Sequence, residues 1–247
     1  MVTIQCKNQI FTNIQAVLFD KDGTLEDSQS FLRELGIKRA RLIDAQIPGI
    51  GEPLLMSFGI LDNKLDLTGL MAVGTRQENE IAAAAYIAET GRGWFESRAI
   101  AHHAFQEADQ YLQRNPRTSP IFAGCLDVLK ALSQAGLKLG ILSADSTANI
   151  QRFVEHHQLS DIIQFMSGAD QRFKKPDPAL FLQACQILNV EPQLTLMVGD
   201  AQVDIEMAKQ ANAAGVIGIC WGQSAASILK NADVIISHLD QISILDA

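Results

Sequence analysis

Short apolar runs alternate with helical patterns along this chain, and the alternation constrains the fold more than any other feature. Each run has the length of a buried strand and ends at glycine or polar residues that indicate a turn. Strands that alternate with helices favour a parallel sheet covered on both faces. We therefore predict an α/β fold with a Rossmann-like parallel sheet. The predicted strands are Ala16–Phe19, Leu137–Leu142, Ile162–Met166, Leu194–Val198, Val216–Cys220 and Val234–Ile236.

The segment between the first two predicted strands has a different character. It carries helical apolar spacing and no convincing strand pattern, so we expect an all-helical domain inserted into the α/β core. Residues 1–26 and 118–247 would form the core domain, and residues 27–117 the insert. The helices expected in the insert are Ser30–Gln46, Glu78–Glu89 and Trp94–Arg114.

Composition, charge and cysteine spacing argue against several classes of function. The 247 residues carry a net charge of −8, which disfavours nucleic acid or an anionic membrane surface as a partner. No apolar run is long enough to span a bilayer, and the first residues lack the pattern of a signal peptide. The four cysteines are scattered without a C-x-x-C pair, which is typical of free thiols in a reducing compartment. We expect a cytoplasmic monomer or homodimer.

Polar side chains follow three of the predicted strands. Asp20 and Asp22 come directly after the first strand, Ser143 after the second and Asp200 after the fourth. In parallel sheets ligands bind beyond the carboxyl ends of the strands, so these residues should meet at one edge. Buried carboxylates need a counter-charge, which predicts a metal ion or a basic group beside them. A calcium-binding EF loop is disfavoured because its further oxygen ligands are missing.

Four stretches of the chain resemble, in order, the four motifs of the haloacid dehalogenase superfamily. The stretches are QAVLFDKDGTLEDS, GILSADS, RFKKPDPALF and MVGDAQVDIEMAKQA. The segment GVIGICWGQS also looks like the one that follows the fifth strand in phosphoglycolate-phosphatase-like members. The chain is thus identified as a member of subfamily I, in which the insert would be the helical C1 cap between the first and second motifs.

The resemblance implies a Mg²⁺-dependent phosphomonoesterase that hydrolyses a small phosphorylated metabolite. Asp20 would attack phosphorus and form an aspartyl-phosphate, and Asp22 would act as general acid and base. The side chains of Asp20 and Asp200 and the backbone carbonyl of Asp22 would hold Mg²⁺. Asp204 would lie outside the ligands and orient waters, and Thr24 would support the loop.

The resemblance assigns the phosphate oxygens to Ser143, to the backbone N–H of Ala144 and to a lysine. The alignment of the lysine motif with Pro-x-Pro selects Lys175 rather than Lys174. Two departures from the family pattern stand out. Lys21 replaces the apolar residue often found between the two aspartates, and SAD replaces the usual Ser/Thr-Asn.

Three alternatives remain beside the phosphatase hypothesis. A phosphomutase similar to β-phosphoglucomutase would use the same core and release little phosphate. A 2-haloacid dehalogenase is disfavoured because members that cleave carbon–halogen bonds lack an acid at the position of Asp22. The intact set of motif residues argues against a phosphate-binding protein with a retired site. In the insert, Arg33, Arg39, Arg76 and Arg92 are candidates for reading a second anionic group.

Overall fold

The structure is a computed structural model that describes residues 2–221 and 229–245. The chain forms two compact units, one made of Met1–Asp27 with Pro120–Ala247 and the other of Ser28–Ser119. The last three residues of the GVIGICWGQS segment lie outside the described residues. None of the helices in the described ranges is both long and apolar enough to cross a lipid bilayer.

The secondary-structure elements are numbered in chain order. The strands are β1 (Val2–Cys6), β2 (Gln9–Ile14), β3 (Ala16–Phe19), β4 (Ile60–Leu61), β5 (Lys64–Leu65), β6 (Lys138–Leu142), β7 (Ile163–Ser167), β8 (Thr195–Gly199), β9 (Gly215–Ile219), β10 (Val234–Ile236) and β11 (Ile242–Leu245). The α-helices are α1 (Gln29–Asp44), α2 (Gly51–Ser57), α3 (Leu70–Val73), α4 (Arg76–Glu89), α5 (Trp94–Tyr111), α6 (Cys125–Gln134), α7 (Thr147–His156), α8 (Pro178–Leu188) and α9 (Gln202–Gln210).

A six-stranded sheet forms the centre of the first unit, in the order β10-β9-β8-β3-β6-β7. Every neighbouring pair in it is parallel. Each of the six predicted strands is present with its ends within one residue of the expected positions, so the predicted parallel α/β core is confirmed. β3 lies between β6 and β8, with Phe19 paired to both Ile141 and Val198. The carboxyl ends of these three strands are therefore level.

Helices cover both faces of the sheet, as the alternation of elements predicted. Val17 and Phe19 of β3 pack in one buried cluster with residues of α6 and α7, while Leu18 packs in another with residues of α8 and α9. Successive side chains of a strand point to opposite faces. All four residues of β3 are consequently buried, and the strand reads as a continuous apolar run.

A three-stranded antiparallel sheet in the order β11-β1-β2 completes the first unit. β1 and β2 form an antiparallel hairpin in this sheet. Its pairing with β11 was not foreseen, because the two segments are separated by nearly the whole chain. Phe11 of β2 lies against Gly215, where a Cβ would be 2.3 Å from the ring. Glycine there allows β2 to pack closely on the parallel sheet.

The second unit is helical, with one small exception. α1 to α5 account for its regular structure apart from a minimal antiparallel hairpin formed by β4 and β5. The two residues of its turn, Asp62 and Asn63, have φ values of 48° and 58°. Such left-handed turns are favoured by Asp and Asn and match the twist of a hairpin. Strands of two residues leave no periodicity to read, so the sequence did not indicate them.

Two of the insert's candidate arginines are held within the second unit itself. Arg39 is buried, donates to Asp109 at 3.0 Å and lies over the ring of Phe105. Arg76 donates to the same carboxylate at 3.1 Å and to Glu80 at 2.7 Å. These contacts join α1, α4 and α5, so both arginines stabilise the packing of helices within this unit.

Candidate active site

The carboxyl edge of the parallel sheet collects the polar residues predicted for the site. Asp20 follows β3, and its backbone N–H donates to the carbonyl of Val198 in β8 at 2.9 Å. Asp200 follows β8, and Ser143 follows β6. These residues are far apart in sequence, and the parallel order of β6, β3 and β8 brings them to the same edge.

Three carboxylates form the centre of this edge. Oxygen atoms of Asp20, Asp200 and Asp204 all lie within 4.8 Å of one another. The sequence predicted Asp204 outside the metal ligands but close to them, and the structure places its carboxylate within 4.8 Å of the other two. The reason is that α9 begins at Gln202, so that Asp204 falls in its first turn and accepts a hydrogen bond from the N–H of Ala201 at 3.2 Å.

Burial makes this group of carboxylates costly when it is fully ionised. It raises the pKa of Asp20 to about 7, and Asp204 and Asp22 add to the effect while Lys175 opposes it. Burial also raises the pKa of Asp200 well above its usual value, with repulsion from Asp20 and Asp204 contributing. Such an arrangement favours either protonation or a cation among the oxygen atoms.

Lys175 supplies one positive charge to this group. Its Nζ is hydrogen-bonded to Asp20 Oδ1 and lies 2.7 Å from Asp204 Oδ1. The side chain is only 6% exposed. Burial by itself would lower the pKa of Lys175, but Asp20 and Asp204 outweigh it and the pKa lies above its usual value. Lys175 therefore places a positive charge between two carboxylates.

The turn after β3 is shaped to approach Asp200. Gly23 has a φ of 79°, and a Cβ there would lie 2.0 Å from Asp200 Oδ2. Only glycine meets both conditions, the left-handed backbone and the close approach. Thr24 is fully buried, and its hydroxyl donates to Asp200 Oδ1 at 3.5 Å. The carbonyl of Thr24 accepts from Trp221 Nε1 at 3.2 Å, which anchors the turn to the segment that follows β9.

The loop after β6 carries the predicted phosphate ligands. Ser143 is buried; its N–H donates to the carbonyl of Ser167 in β7, and its hydroxyl accepts from the N–H of Asp145 at 3.1 Å. Ala144 lies between them in the same loop and is half-buried. The hydroxyl is thus held at the sheet edge by its own loop.

Lys21 is the residue that sequence reasoning missed. Its side chain is completely buried, although it stands between two acidic residues in a turn. Its Nζ lies 2.9 Å from Asp22 Oδ2 and 2.6 Å from Glu26 Oε2. A signal was available in the sequence, since Glu26 follows Lys21 by five residues across a turn that Gly23 closes. From the sequence alone, however, a lysine in a turn is interpreted as a charge exposed to solvent.

The carboxylate group fits a hard divalent cation. Mg²⁺ prefers oxygen ligands and is held by one or two carboxylates together with waters and substrate oxygens. Asp20, Asp200 and Asp204 offer clustered, largely buried carboxylate oxygens whose mutual repulsion a cation would offset. Among the residues that the structure describes, no cysteine or histidine belongs to this group of ligands. Zinc commonly takes sulfur or imidazole ligands, so the group argues against a zinc site here.

Mg²⁺ is expected to raise the melting temperature of the protein. At a hundredfold excess over Kd, a ligand that binds only the folded state contributes about 2.7 kcal/mol, which corresponds to roughly 5–10 °C for a chain of this size. Asp200→Asn should abolish most of this shift. It should not lower the melting temperature in EDTA, because it removes one charge from a repelling group.

Differential scanning fluorimetry with a Mg²⁺ titration checks this expectation. The matched control is Asp161→Asn, an exposed aspartate of the same unit, which should keep the full shift. Equal shifts in wild-type protein and Asp200→Asn would place the cation elsewhere.

Comparison with known proteins adds family relationships to this geometry. The model of the haloacid dehalogenase-like hydrolases matches residues 14–212. Phosphoglycolate phosphatase from Psychrobacter arcticus is 27% identical over 210 residues, which covers 84% of either chain.

Solved structures resemble the whole fold. A predicted phosphoglycolate phosphatase from Haemophilus somnus superposes with a TM-score of 0.71 at 21% identity, covering 92% of this chain and 96% of its own. A β-phosphoglucomutase from Clostridium difficile gives a TM-score of 0.58 at 21% identity and covers 92% of both chains. At this level of identity the two structures bear on the fold alone.

Proposed function

Since the chain belongs to the haloacid dehalogenase-like hydrolases, whose model matches residues 14–212, we propose that it is a Mg²⁺-dependent phosphomonoesterase that acts on a small phosphorylated metabolite. The division into a core domain of residues 1–26 and 118–247 and a cap domain of residues 27–117 is part of the proposal. So is a cytoplasmic location, which agrees with four free cysteines, three of them buried.

The proposed nucleophile is the carboxylate of Asp20. One of its oxygens attacks phosphorus, the bond from phosphorus to the leaving oxygen breaks, and an aspartyl-phosphate forms. Asp20 suits this role because it stands at the end of β3, where the N–H of the same residue is bonded to β8. The backbone that carries the nucleophile is therefore fixed in the middle of the sheet.

Asp22 is the proposed acid and base. Its carboxyl group gives a proton to the departing alkoxide, and its carboxylate then takes a proton from the water that attacks the aspartyl-phosphate. This second step releases inorganic phosphate and restores Asp20. The side chain of Asp22 is 16% exposed, which leaves it accessible to a substrate while most of it is surrounded by protein.

Four groups are proposed to stabilise the charge on phosphorus. Lys175, the hydroxyl of Ser143 and the N–H of Ala144 bind phosphate oxygens. Mg²⁺, when bound by Asp20, Asp200 and the carbonyl of Asp22, supplies the positive charge that lets a carboxylate approach a phosphate dianion. Asp204, through its contact with Lys175, keeps that ammonium group beside the nucleophile.

One observation carries the proposal: Lys175 and the carboxylate oxygens of Asp20, Asp200 and Asp204 converge on a single ion-sized region. A protein fold does not need this arrangement, because the repulsion among three carboxylates, two of them buried and one half-buried, destabilises it. A cation and a phosphate bound there would use every one of these charges.

Phosphate release from a panel of esters tests the proposal. The panel holds 2-phosphoglycolate, several sugar phosphates and p-nitrophenyl phosphate, each with Mg²⁺ and with EDTA. We expect release of inorganic phosphate with Mg²⁺ from at least one alkyl ester, and its loss in EDTA. Absence of release from every ester under both conditions would refute the phosphatase proposal.

A phosphomutase remains the second candidate, because a solved β-phosphoglucomutase shares this fold. The two reactions differ in the group that accepts the phosphoryl group from Asp20, which is water in one and a second sugar hydroxyl in the other. ³¹P NMR of the sugar phosphates separates them. Conversion of one sugar phosphate into an isomer without inorganic phosphate would favour the mutase.

A further inference from the structure

Lys21 holds three carboxylates together at the edge of the sheet. Its Nζ lies 2.9 Å from Asp22 Oδ2, 2.6 Å from Glu26 Oε2 and 3.3 Å from Asp145 Oδ2. The side chain has no exposed surface. Burying an ammonium group is costly unless it is paired, and this one is paired with carboxylates from two different loops.

The backbone of Lys21 organises the same turn. Its carbonyl accepts hydrogen bonds from the N–H groups of Thr24, Leu25 and Glu26, at 3.3, 2.9 and 2.9 Å. Main chain and side chain of one residue therefore both bind the turn that carries Asp22. An apolar residue at this position would keep the backbone contacts and lose the contact with the Asp22 carboxylate.

The partners of the ammonium group are themselves fixed. Asp145 Oδ1 accepts from the N–H of Ser146 at 2.7 Å and from Asn149 Nδ2 at 2.6 Å. The N–H of Asp145 in turn donates to the hydroxyl of Ser143. A continuous set of contacts thus runs from Asp22 through Lys21 and Asp145 to Ser143, and joins the loops that follow β3 and β6.

We propose that Lys21 is a positioning residue, which fixes the Asp22 carboxyl group for proton transfer and sets its distance from the phosphate held at Ser143. The inference rests on the proposed phosphatase function and deepens it. Lys21 touches neither phosphorus nor the leaving group. Its effect reaches the reaction only through the orientation of Asp22.

The leaving group distinguishes positioning from a purely structural role. An alkyl phosphate expels a strongly basic alkoxide and needs a proton from Asp22 as the bond breaks. p-Nitrophenyl phosphate expels a stable anion and needs that proton far less. The value of kcat/KM reports on the step up to phosphoryl transfer, so a misplaced Asp22 should lower it for the alkyl ester selectively.

Two variants probe the contact in different ways. Lys21→Met keeps the volume and removes the positive charge from beside Glu26 and Asp145, so it is combined with Glu26→Gln. Asp145→Asn is the milder variant, which keeps the shape and the lysine and removes one of its three anchors. The control is Lys209→Met, which removes a half-exposed lysine that lies 3.7 Å from Asp233.

We expect the Lys21→Met/Glu26→Gln protein to lose about 100-fold in kcat/KM for the alkyl phosphate that the wild type turns over fastest, the penalty typical of a small misplacement. For p-nitrophenyl phosphate the loss should stay below about tenfold. Asp145→Asn should shift the ratio of the two values in the same direction, and Lys209→Met should leave it unchanged.

An unchanged ratio in Asp145→Asn and in every folded Lys21 variant would overturn the inference and leave the phosphatase proposal intact. Equal losses for both esters would do the same, since they would assign Lys21 to the fold alone. If wild-type protein released no phosphate from any ester, the proposed function would fail and this inference with it.

Discussion

Asp20→Asn is expected to abolish phosphate release. An amide is a far weaker nucleophile than a carboxylate, and removal of a covalent nucleophile costs about four orders of magnitude or more in kcat. The replacement keeps the size of the side chain, so the loss should not come from unfolding. Inorganic phosphate is measured with the alkyl ester that the wild type turns over fastest, at saturating Mg²⁺.

The melting temperature of Asp20→Asn shows whether a loss of activity comes from the missing nucleophile or from unfolding. Because burial raises the pKa of Asp20 to about 7, the neutral amide relieves repulsion, and Lys175 keeps Asp204 as a partner at 2.7 Å. The variant should therefore melt no lower than wild-type protein in EDTA. Asp161→Asn, which changes an exposed aspartate, serves as the matched control and should retain full activity. Turnover by Asp20→Asn within tenfold of wild type would remove Asp20 from the role of nucleophile.

Lys175→Met is expected to give the second largest effect. The ammonium group lies between Asp20 and Asp204, and its loss removes a fixed charge beside the position proposed for phosphate. Loss of one preorganised electrostatic contact typically costs about 10²–10³ in kcat, so kcat/KM should fall by at least that factor.

Lys175→Met should also lower the stability of the folded protein, and the loss should be smaller when Mg²⁺ is present. Removing one partner from a buried ion pair costs about 3–5 kcal/mol because the remaining charge is left uncompensated. The melting temperature of Lys175→Met should therefore drop in EDTA and recover in part when Mg²⁺ is added.

The neighbouring lysine provides a close control. Lys174→Met removes the same charge one position earlier, and its loss in kcat/KM should be about tenfold or more smaller than that of Lys175→Met, because the contacts with Asp20 and Asp204 belong to Lys175. Equal losses in the two variants would show that net charge in this loop matters rather than the contact of Lys175 with Asp20.

The core of the fold was predictable because its signal is local. A buried strand of a parallel sheet is a short, continuous apolar run, and β3 shows this in four residues, all of them buried. Apolar residues recur at different spacings in strands and in helices, so the sequence shows where strands alternate with helices. That alternation predicts a parallel sheet. The hairpin of β4 and β5 and the pairing of β1 with β11 were not predictable, since strands of two residues and contacts between distant segments leave no periodic trace.

The candidate site was predictable to the extent that strand ends determine it. Asp20, Ser143 and Asp200 each follow a strand, and parallel strands place their carboxyl ends along one edge. The sequence could not tell how the side chains pair once they are there. That Lys175 contacts Asp204 as well as Asp20 depends on where α9 begins relative to β8.

For this protein the amino-acid order alone determined the parallel α/β core and which residue types stand at its edge, because apolar period and turn chemistry are properties of neighbouring residues. The tertiary structure alone decided that Lys21 is buried among three carboxylates and that Asp204 joins Asp20 and Asp200. Both outcomes depend on residues brought together from separate loops, and the free energy of a buried charge is set by those neighbours rather than by its position in the chain.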